Sequence, residues 1–313
     1  MPEIPQDRLT SVKRIACIGE VMIELTPAAE STLNFGVAGD SYNTAVYLKR
    51  LLGTGCDVDY MTALGTDAFS DRILAEMGGH GLGLSAVERR SDRLPGIYAI
   101  ATDDSGERSF TYWRSESAAR TLFVEPCEVP LARLQDYDLV LLTGISIAIL
   151  PEATRGALVG AIKDFRTSGG ILAYDSNHRP RLWATGADAQ VWNRDFWGLA
   201  DIALPSVDDE MLIFGDDNES DVIARLIRFG VGFGALKRGP EGPYDFSGMV
   251  TGATYPAAAR VIDTTAAGDS FNAGYLAGLV AGKGQEAALR QGHDLAAQVI
   301  GHRGAIVETA LSG

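Results

Sequence analysis

Three features of the sequence predict an α/β fold with a mainly parallel central sheet, helices on both of its faces and a small β-sheet lid. Short apolar runs alternate with longer helical patterns. The runs are continuously apolar, as strands buried on both faces must be. One segment around residue 100 breaks the rhythm with a hairpin.

In chain order, residues 14–19 form an apolar run that stops at Gly19, and residues 21–25 form a further strand pattern. Helical spacing follows over residues 41–52 and 67–77. Residues 96–102 and 108–114 flank Asp103-Asp104-Ser105-Gly106, a glycine-containing turn that predicts a hairpin. Residues 138–144 and 171–175 are apolar strands. The helical stretch 151–167 lies between them, with Pro151 expected in its first turn and Gly169-Gly170 after its end. Residues 202–205 and 233–237 read as further strands, and 221–229, 270–281 and 285–300 as helices. Strand alternating with helix is the pattern of an α/β fold, whose ligands bind beyond the carboxyl ends of the strands. No linker and no internal repeat interrupts the chain, so a single domain over residues 1–313 is expected. The lid would be built from about residues 21–36 and 94–115, placed to exclude water from a site.

Composition excludes several function classes. The formal net charge of −14 repels nucleic acid and anionic lipid. Cys17, Cys56 and Cys127 are odd in number and widely spaced, and the four histidines form no HxxxH pair, so neither a disulfide framework nor a zinc site is expected. Residues 1–12 lack the apolar core of a signal peptide, and no apolar run is long enough to span a membrane. A cytoplasmic location is the expectation. Dinucleotide and P-loop fingerprints are missing. Only Gly19 follows the first strand, and Gly278-Leu279-Val280-Ala281-Gly282-Lys283-Gly284 has the wrong spacing and no hydroxyl.

The most informative segment is Asp263-Thr264-Thr265-Ala266-Ala267-Gly268-Asp269, which leads into a helical pattern. Small residues let backbone approach a ligand, and the free N–H groups of a helix start attract an anion. Asp269 sets a carboxylate in the same turn. Phosphoryl transfer needs both parts: donors for developing charge and a base for the alcohol proton. The residues alone leave a second reading open, in which Asp263 or Thr264 merely caps the helix.

The segment resembles the C-terminal signature of the ribokinase-like (PfkB) family of carbohydrate kinases. Gly39-Asp40-Ser41-Tyr42-Asn43 resembles the family's sugar-binding segment, Ala63-Leu64-Gly65-Thr66-Asp67 the stretch after it, and Leu236-Lys237-Arg238-Gly239-Pro240-Glu241-Gly242 its nucleotide-site strand and turn. Within the family, Gly19-Glu20-Val21-Met22-Ile23-Glu24, Leu94-Pro95-Gly96-Ile97-Tyr98, Tyr112-Trp113-Arg114, Asp175-Ser176-Asn177-His178-Arg179 and Arg303-Gly304-Ala305 resemble kinases of 2-keto-3-deoxygluconate.

The resemblance implies a ribokinase-like fold and phosphorylation of the terminal C6 hydroxyl of that sugar acid by ATP. It assigns Asp269 as base and Ala266, Ala267 and Gly268 as a backbone anion hole. Gly39, Asp40 and Asn43 would hold sugar hydroxyls, and Tyr98, Tyr112, Arg114 and Arg179 the acid end and chain. The physics agrees, since guanidinium forks suit a carboxylate. Asn177, Lys237, Gly239 and Gly242 would lie near ATP. Mg2+ would accompany ATP, held largely through phosphates and water, and a monovalent cation such as K+ and homo-oligomers are further implications.

The chain departs from the family pattern in three places. Ala38 replaces the first glycine of a Gly-Gly pair. The anion hole reads Ala-Ala-Gly-Asp where many members have Gly-Ala-Gly-Asp. The Asn-x-x-Glu motif linked to Mg2+ is not intact at Ser206-Val207-Asp208-Asp209-Glu210, so no residue is assigned to metal. A kinase for 2-keto-3-deoxygalactonate, fructose or tagatose, and a non-catalytic sugar-binding regulator, are the alternative readings.

Overall fold

The computed structural model describes residues 4–29, 32–102 and 108–308. In chain order its strands are β1 (Arg14–Ile18), β2 (Met22–Ala29), β3 (Thr32–Ala38), β4 (Asp57–Gly65), β5 (Val87–Arg90), β6 (Ile97–Thr102), β7 (Arg108–Trp113), β8 (Leu139–Thr143), β9 (Ile171–Asp175), β10 (Ile202–Ala203), β11 (Ala235–Leu236) and β12 (Tyr244–Asp245). The helices are α1 (Gln6–Thr10), α2 (Asp40–Leu52), α3 (Ala68–Gly79), α4 (Gly144–Ile149), α5 (Glu152–Thr167), α6 (Gly186–Trp197), α7 (Val207–Phe214), α8 (Glu219–Arg228), α9 (Ala267–Val280) and α10 (Gln285–Val299).

Six strands in the order β10-β9-β8-β1-β4-β5 form a sheet in which every neighbouring pair is parallel. Strands β8 and β9 are buried at every residue, which is why they read as unbroken apolar runs. After β1 the chain builds β4 and β5 on one side and then crosses to β8, β9 and β10 on the other. Strand order therefore reverses beside β1, and the crevice at such a reversal is where ligands bind in this architecture. Glu20 follows β1 there, Gly144 follows β8, and Asp175 ends β9.

A second sheet has the order β3-β2-β6-β7, with β2 and β6 parallel and the outer pairs antiparallel. Its strands fall on the residues expected to form a lid, except that β3 runs two residues past 36, to Ala38. The turn read at Asp103-Asp104-Ser105-Gly106 lies outside the described residues. Met22, Ala38, Tyr98 and Ile100 from this sheet form a small buried cluster with Ala305, and Ala266 packs against it. Ala266 directly precedes α9, so the second sheet covers the start of that helix.

Several elements differ from the sequence reading. Helix α9 begins at Ala267, three residues before the expected start, so Asp269 lies within its first turn. Pro151 is the N-cap of α5 and so precedes the first turn. The run 233–237 yields only the two-residue β11, which pairs antiparallel with β12 and touches the main sheet through an isolated bridge from Gly234 to Ala203. Strand β4 is hidden in the sequence by Asp57 and Asp59, which break its apolar pattern, and β5 by its charges. Glu88 in β5 is nonetheless buried, paired with Arg90 at 2.8 Å. Helix α7 starts at Ser206, whose hydroxyl accepts from the Asp209 N–H, and ends at the left-handed Gly215.

Helices α9 and α10 pack backbone to backbone. A Cβ on Gly274 would lie 2.8 Å from the Gln291 carbonyl oxygen, and one on Gly292 would lie 2.9 Å from that of Phe271. Only glycine allows this approach. It holds α9 in place, and α9 is buried at every residue from Ser270 to Val280.

Candidate active site

The chemistry-bearing side chains gather where the first turn of α9 faces the first turn of α2 and the carboxyl end of β9. Asp269 accepts a 2.8 Å hydrogen bond from Asn43 Nδ2, and its backbone carbonyl accepts one from the Thr44 hydroxyl at 3.2 Å. One turn away, Asp40 accepts from Asn177 Nδ2 at 2.9 Å. Each of the two carboxylates is thus met by an asparagine amide.

Asp175 anchors the other side. It is 2% exposed and accepts from Asn272 Nδ2 at 2.6 Å and from the Lys237 ammonium at 2.5 Å. Its second oxygen accepts the Asn177 N–H at 3.0 Å, which helps hold Asn177 at a positive φ of 27°. Lys237 Nζ also lies 3.6 Å from the position a Cβ on Gly268 would take, so the ammonium stands beside the start of α9.

The start of α9 is open to an anion. Ala266 caps it in the left-handed region at φ 60°, a conformation that glycine adopts without strain. The Ala267 N–H is occupied by the Thr264 carbonyl at 3.2 Å. Among the described residues the N–H groups of Ala266, Gly268 and Asp269 have no acceptor. Of the assigned Ala266, Ala267 and Gly268, only Ala267 has its N–H occupied, and Asp269 adds a further open donor. With the helix dipole and Lys237, they give a positively polarised spot next to a carboxylate.

Burial and the nearby Asp40 carboxylate, aided by Asp175, push the Asp269 carboxyl up to about 7, against the opposing pull of Asn43 and Lys237. Such a group can take a proton near neutral pH and release it again. Asp269 keeps part of its surface open, so a ligand can reach it.

The remaining candidates divide between body and second sheet. Gly39 adopts an extended backbone, and its constraint is steric, because a Cβ there would lie 2.3 Å from the Glu20 carbonyl oxygen. Tyr98 and Tyr112 face each other across β6 and β7 with rings 5.7 Å apart, and the Tyr98 hydroxyl donates to Glu24. Burial and Glu24 hold that hydroxyl protonated by pushing its pKa far up. Arg114 is paired with the buried Glu20. Arg179 is exposed and donates to the His178 carbonyl at 2.8 Å. Gly239 and Gly242 carry positive φ values of 57° and 78° around a short turn, and Gly242 packs under the ring of Tyr255.

Sequence reasoning passes over Asp175, Asn272, Thr44, Glu20 and Glu24 as site residues. Two signals could have found some of them. Asn272 lies three residues after Asp269 and so shares its helix face. Asp175 is the only charged residue of an otherwise apolar strand. Among the described residues no cluster of three or more acidic, histidine or cysteine side chains could hold a metal ion. Among the same residues no helix is long and apolar enough to cross a membrane.

Comparison with known proteins identifies the fold and the family. Solved structures with the same fold include a PfkB protein from Polaromonas sp. JS666, with a TM-score of 0.78 at 25% identity, covering 92% of this chain and 95% of that one. A fructokinase from Vibrio cholerae O395 matches with a TM-score of 0.80 at 21% identity over 94% of this chain and 95% of that one. In sequence, the 2-dehydro-3-deoxygluconokinase of Escherichia coli K12 is 41% identical over 94% of this chain and 97% of its own length. The enzyme of that name from Bacillus subtilis is 31% identical over 85% and 81%. The model of the pfkB family of carbohydrate kinases matches residues 12–310, and the chain belongs to that family.

Proposed function

We propose that this carbohydrate kinase transfers the γ-phosphoryl group of ATP to the C6 hydroxyl of 2-keto-3-deoxygluconate, with Asp269 as general base. The observation that carries the reading is the pairing, in one helical turn, of a carboxyl raised to about 7 with two unoccupied backbone N–H groups. The identity of 38–41% to named 2-dehydro-3-deoxygluconokinases from three genera supports the substrate.

In this reading the sugar lies between α2 and the second sheet, with Gly39, Asp40 and Asn43 toward its hydroxyls and Tyr98, Tyr112, Arg114 and Arg179 toward its acid end. Asn43 holds the Asp269 carboxyl in place, and that carboxyl takes the C6 proton as the oxygen attacks phosphorus. The negative charge on the transferring group meets the N–H groups of Gly268 and Asp269 and the Lys237 ammonium. Asn177, Gly239 and Gly242 lie toward the nucleotide. The second sheet closes over the start of α9 and excludes water, which limits phosphoryl loss to solvent.

The donor set suits a nucleotide triphosphate, and Mg2+ would accompany it, held mainly through phosphate and water, with no side chain of this chain assigned to the ion. That ion would neutralise phosphate charge. A K+-type cation and a homo-oligomer complete the proposal, and the exposed Leu33 and Trp113 of the second sheet are available for assembly. The unpaired thiols of Cys17, Cys56 and Cys127 fit a reducing cytoplasm.

One observation favours a neutral ketose as the second reading: Arg114 and Lys237 are both already paired with carboxylates. ATP turnover against a panel of both keto-deoxy acids, fructose and tagatose separates the two. A kcat/KM for fructose or tagatose above that for either acid refutes the acid-sugar reading. A protein that binds sugar without consuming ATP is a regulator.

A further inference from the structure

A buried charge pair joins the second sheet to the body. Glu20, just after β1, is 1% exposed, and Arg114, just after β7, is 9% exposed, with Nη2 of the arginine on Oε2 of the carboxylate. The pair has no room to swing. A Cβ on Gly96 would stand 2.6 Å from Glu20 Oε1 and 3.2 Å from Arg114 Cβ, and the guanidinium lies over the Tyr112 ring at 5.7 Å. Pulling Arg114 away would strand a fully buried carboxylate, which is strongly unfavourable. Arg114 therefore stays paired whatever sugar arrives.

The consequence concerns charge. Of the three cations assigned to the site, Lys237 is matched by Asp175 and Arg114 by Glu20. Arg179 makes no ion pair among the described residues and donates only to a backbone carbonyl. Like charge near a bound carboxylate costs more than it does near a neutral hydroxyl.

We propose that Glu20 sets the charge selectivity of the sugar site by neutralising Arg114, so that this guanidinium acts on the sugar as an oriented hydrogen-bond donor rather than as a net positive charge. Glu20 is a positioning residue acting through Arg114, and the inference rests on the acid-sugar reading above. It makes the site less selective for acids than its count of arginines suggests.

The test is the ratio of dissociation constants for fructose and 2-keto-3-deoxygluconate, measured by titration calorimetry on the full chain. Glu20→Gln keeps an oxygen for Arg114 and removes the charge, and is expected to shift the ratio toward the acid by roughly tenfold. Glu20→Asp retains the charge, and its ratio stays within about threefold of wild type even where both affinities fall. The double variant Glu20→Gln/Arg114→Gln removes two opposite charges together and also stays within about threefold, which keeps the test alive if Glu20→Gln does not fold. A purely structural Glu20 would weaken both sugars alike and leave the ratio of Glu20→Gln unmoved, and that result overturns the proposal. So does a double variant that loses its acid preference. The acid-sugar reading is judged separately, on the wild type alone, by whether it binds and phosphorylates the acid at all.

Discussion

Replacing Asp269 with asparagine should damage catalysis and strengthen the fold, and the second effect should grow as pH rises from 4 to 8. An unfolded aspartate titrates near 3.9, whereas Asp269 in the folded chain is pushed up to about 7. Between these values the native state holds a proton that the unfolded state has released. Stability from this group is therefore fully present below the unfolded value and is lost as pH rises through about 7. Three pH units correspond to about 4 kcal/mol, and the partial exposure of Asp269 lowers this to on the order of 2–4 kcal/mol. The substituted amide would keep an oxygen for Asn43 Nδ2 and carry no charge at any pH. At pH 4 the Asp269→Asn variant should nearly match the wild type. At pH 8 it should melt higher by about 3–6 °C, using a typical unfolding entropy for a chain of this size. Glu210, buried beside Arg225 and also pushed up to about 7, titrates in the same window, but it is common to both proteins and cancels in the difference. Turnover should fall by about 10²–10⁴-fold, the usual contribution of a general base. Thermal melts at the two pH values, with steady-state turnover, make the test. A stabilisation equal at pH 4 and pH 8 refutes the electrostatic reasoning, and near-normal turnover refutes the base.

Three further outcomes follow from the same geometry. The profile of kcat/KM against pH should fall on the acid side with an apparent pKa near 7, and Asp40→Asn should move that limb to lower pH because the Asp40 charge helps hold the Asp269 proton. An unmoved limb would show that the two carboxylates do not communicate. Gly39→Ala puts a Cβ 2.3 Å from the Glu20 carbonyl oxygen, which should cost about 1–3 kcal/mol in chemical denaturation and at least roughly tenfold in kcat/KM. Lys237→Met leaves the buried Asp175 without its cation and should destabilise the chain by about 3 kcal/mol at pH 7, read by chemical denaturation.

The parallel sheet is legible because β1, β8 and β9 are buried on both faces and so carry no polar residue before their ends. Strand β4 pairs just as fully with β1, yet it is not legible. Its Asp59 is matched by tertiary partners, the hydroxyls of Ser85 and Tyr137, which no local pattern announces. At the site, Asp269 is readable from the run of small residues that leads into its helix, and Asp40, Asn43 and Lys237 from the family resemblance, and the structure brings these four together. The links between them are not. That Asn43 serves Asp269 while Asn177 serves Asp40 depends on a separation of 226 residues in one case and 137 in the other. Nor can spacing reveal that Arg114 is already spoken for by Glu20, since a guanidinium looks the same in sequence whether it waits for a ligand or completes the core.

The glycine contact between α9 and α10 has a consequence for how the enzyme moves. Two helices held backbone against backbone, with the first buried from Ser270 to Val280, cannot slide without opening voids in the core. Asp269 and the open amides beside it are therefore a fixed reference. The second sheet meets the start of α9 where Ala266 packs on the cluster of Met22, Ala38, Tyr98, Ile100 and Ala305. In the proposed function, reach and enclosure then belong to opposite sides of the cleft: the helix fixes where the phosphoryl group would be delivered, and the sheet would enclose the sugar that receives it.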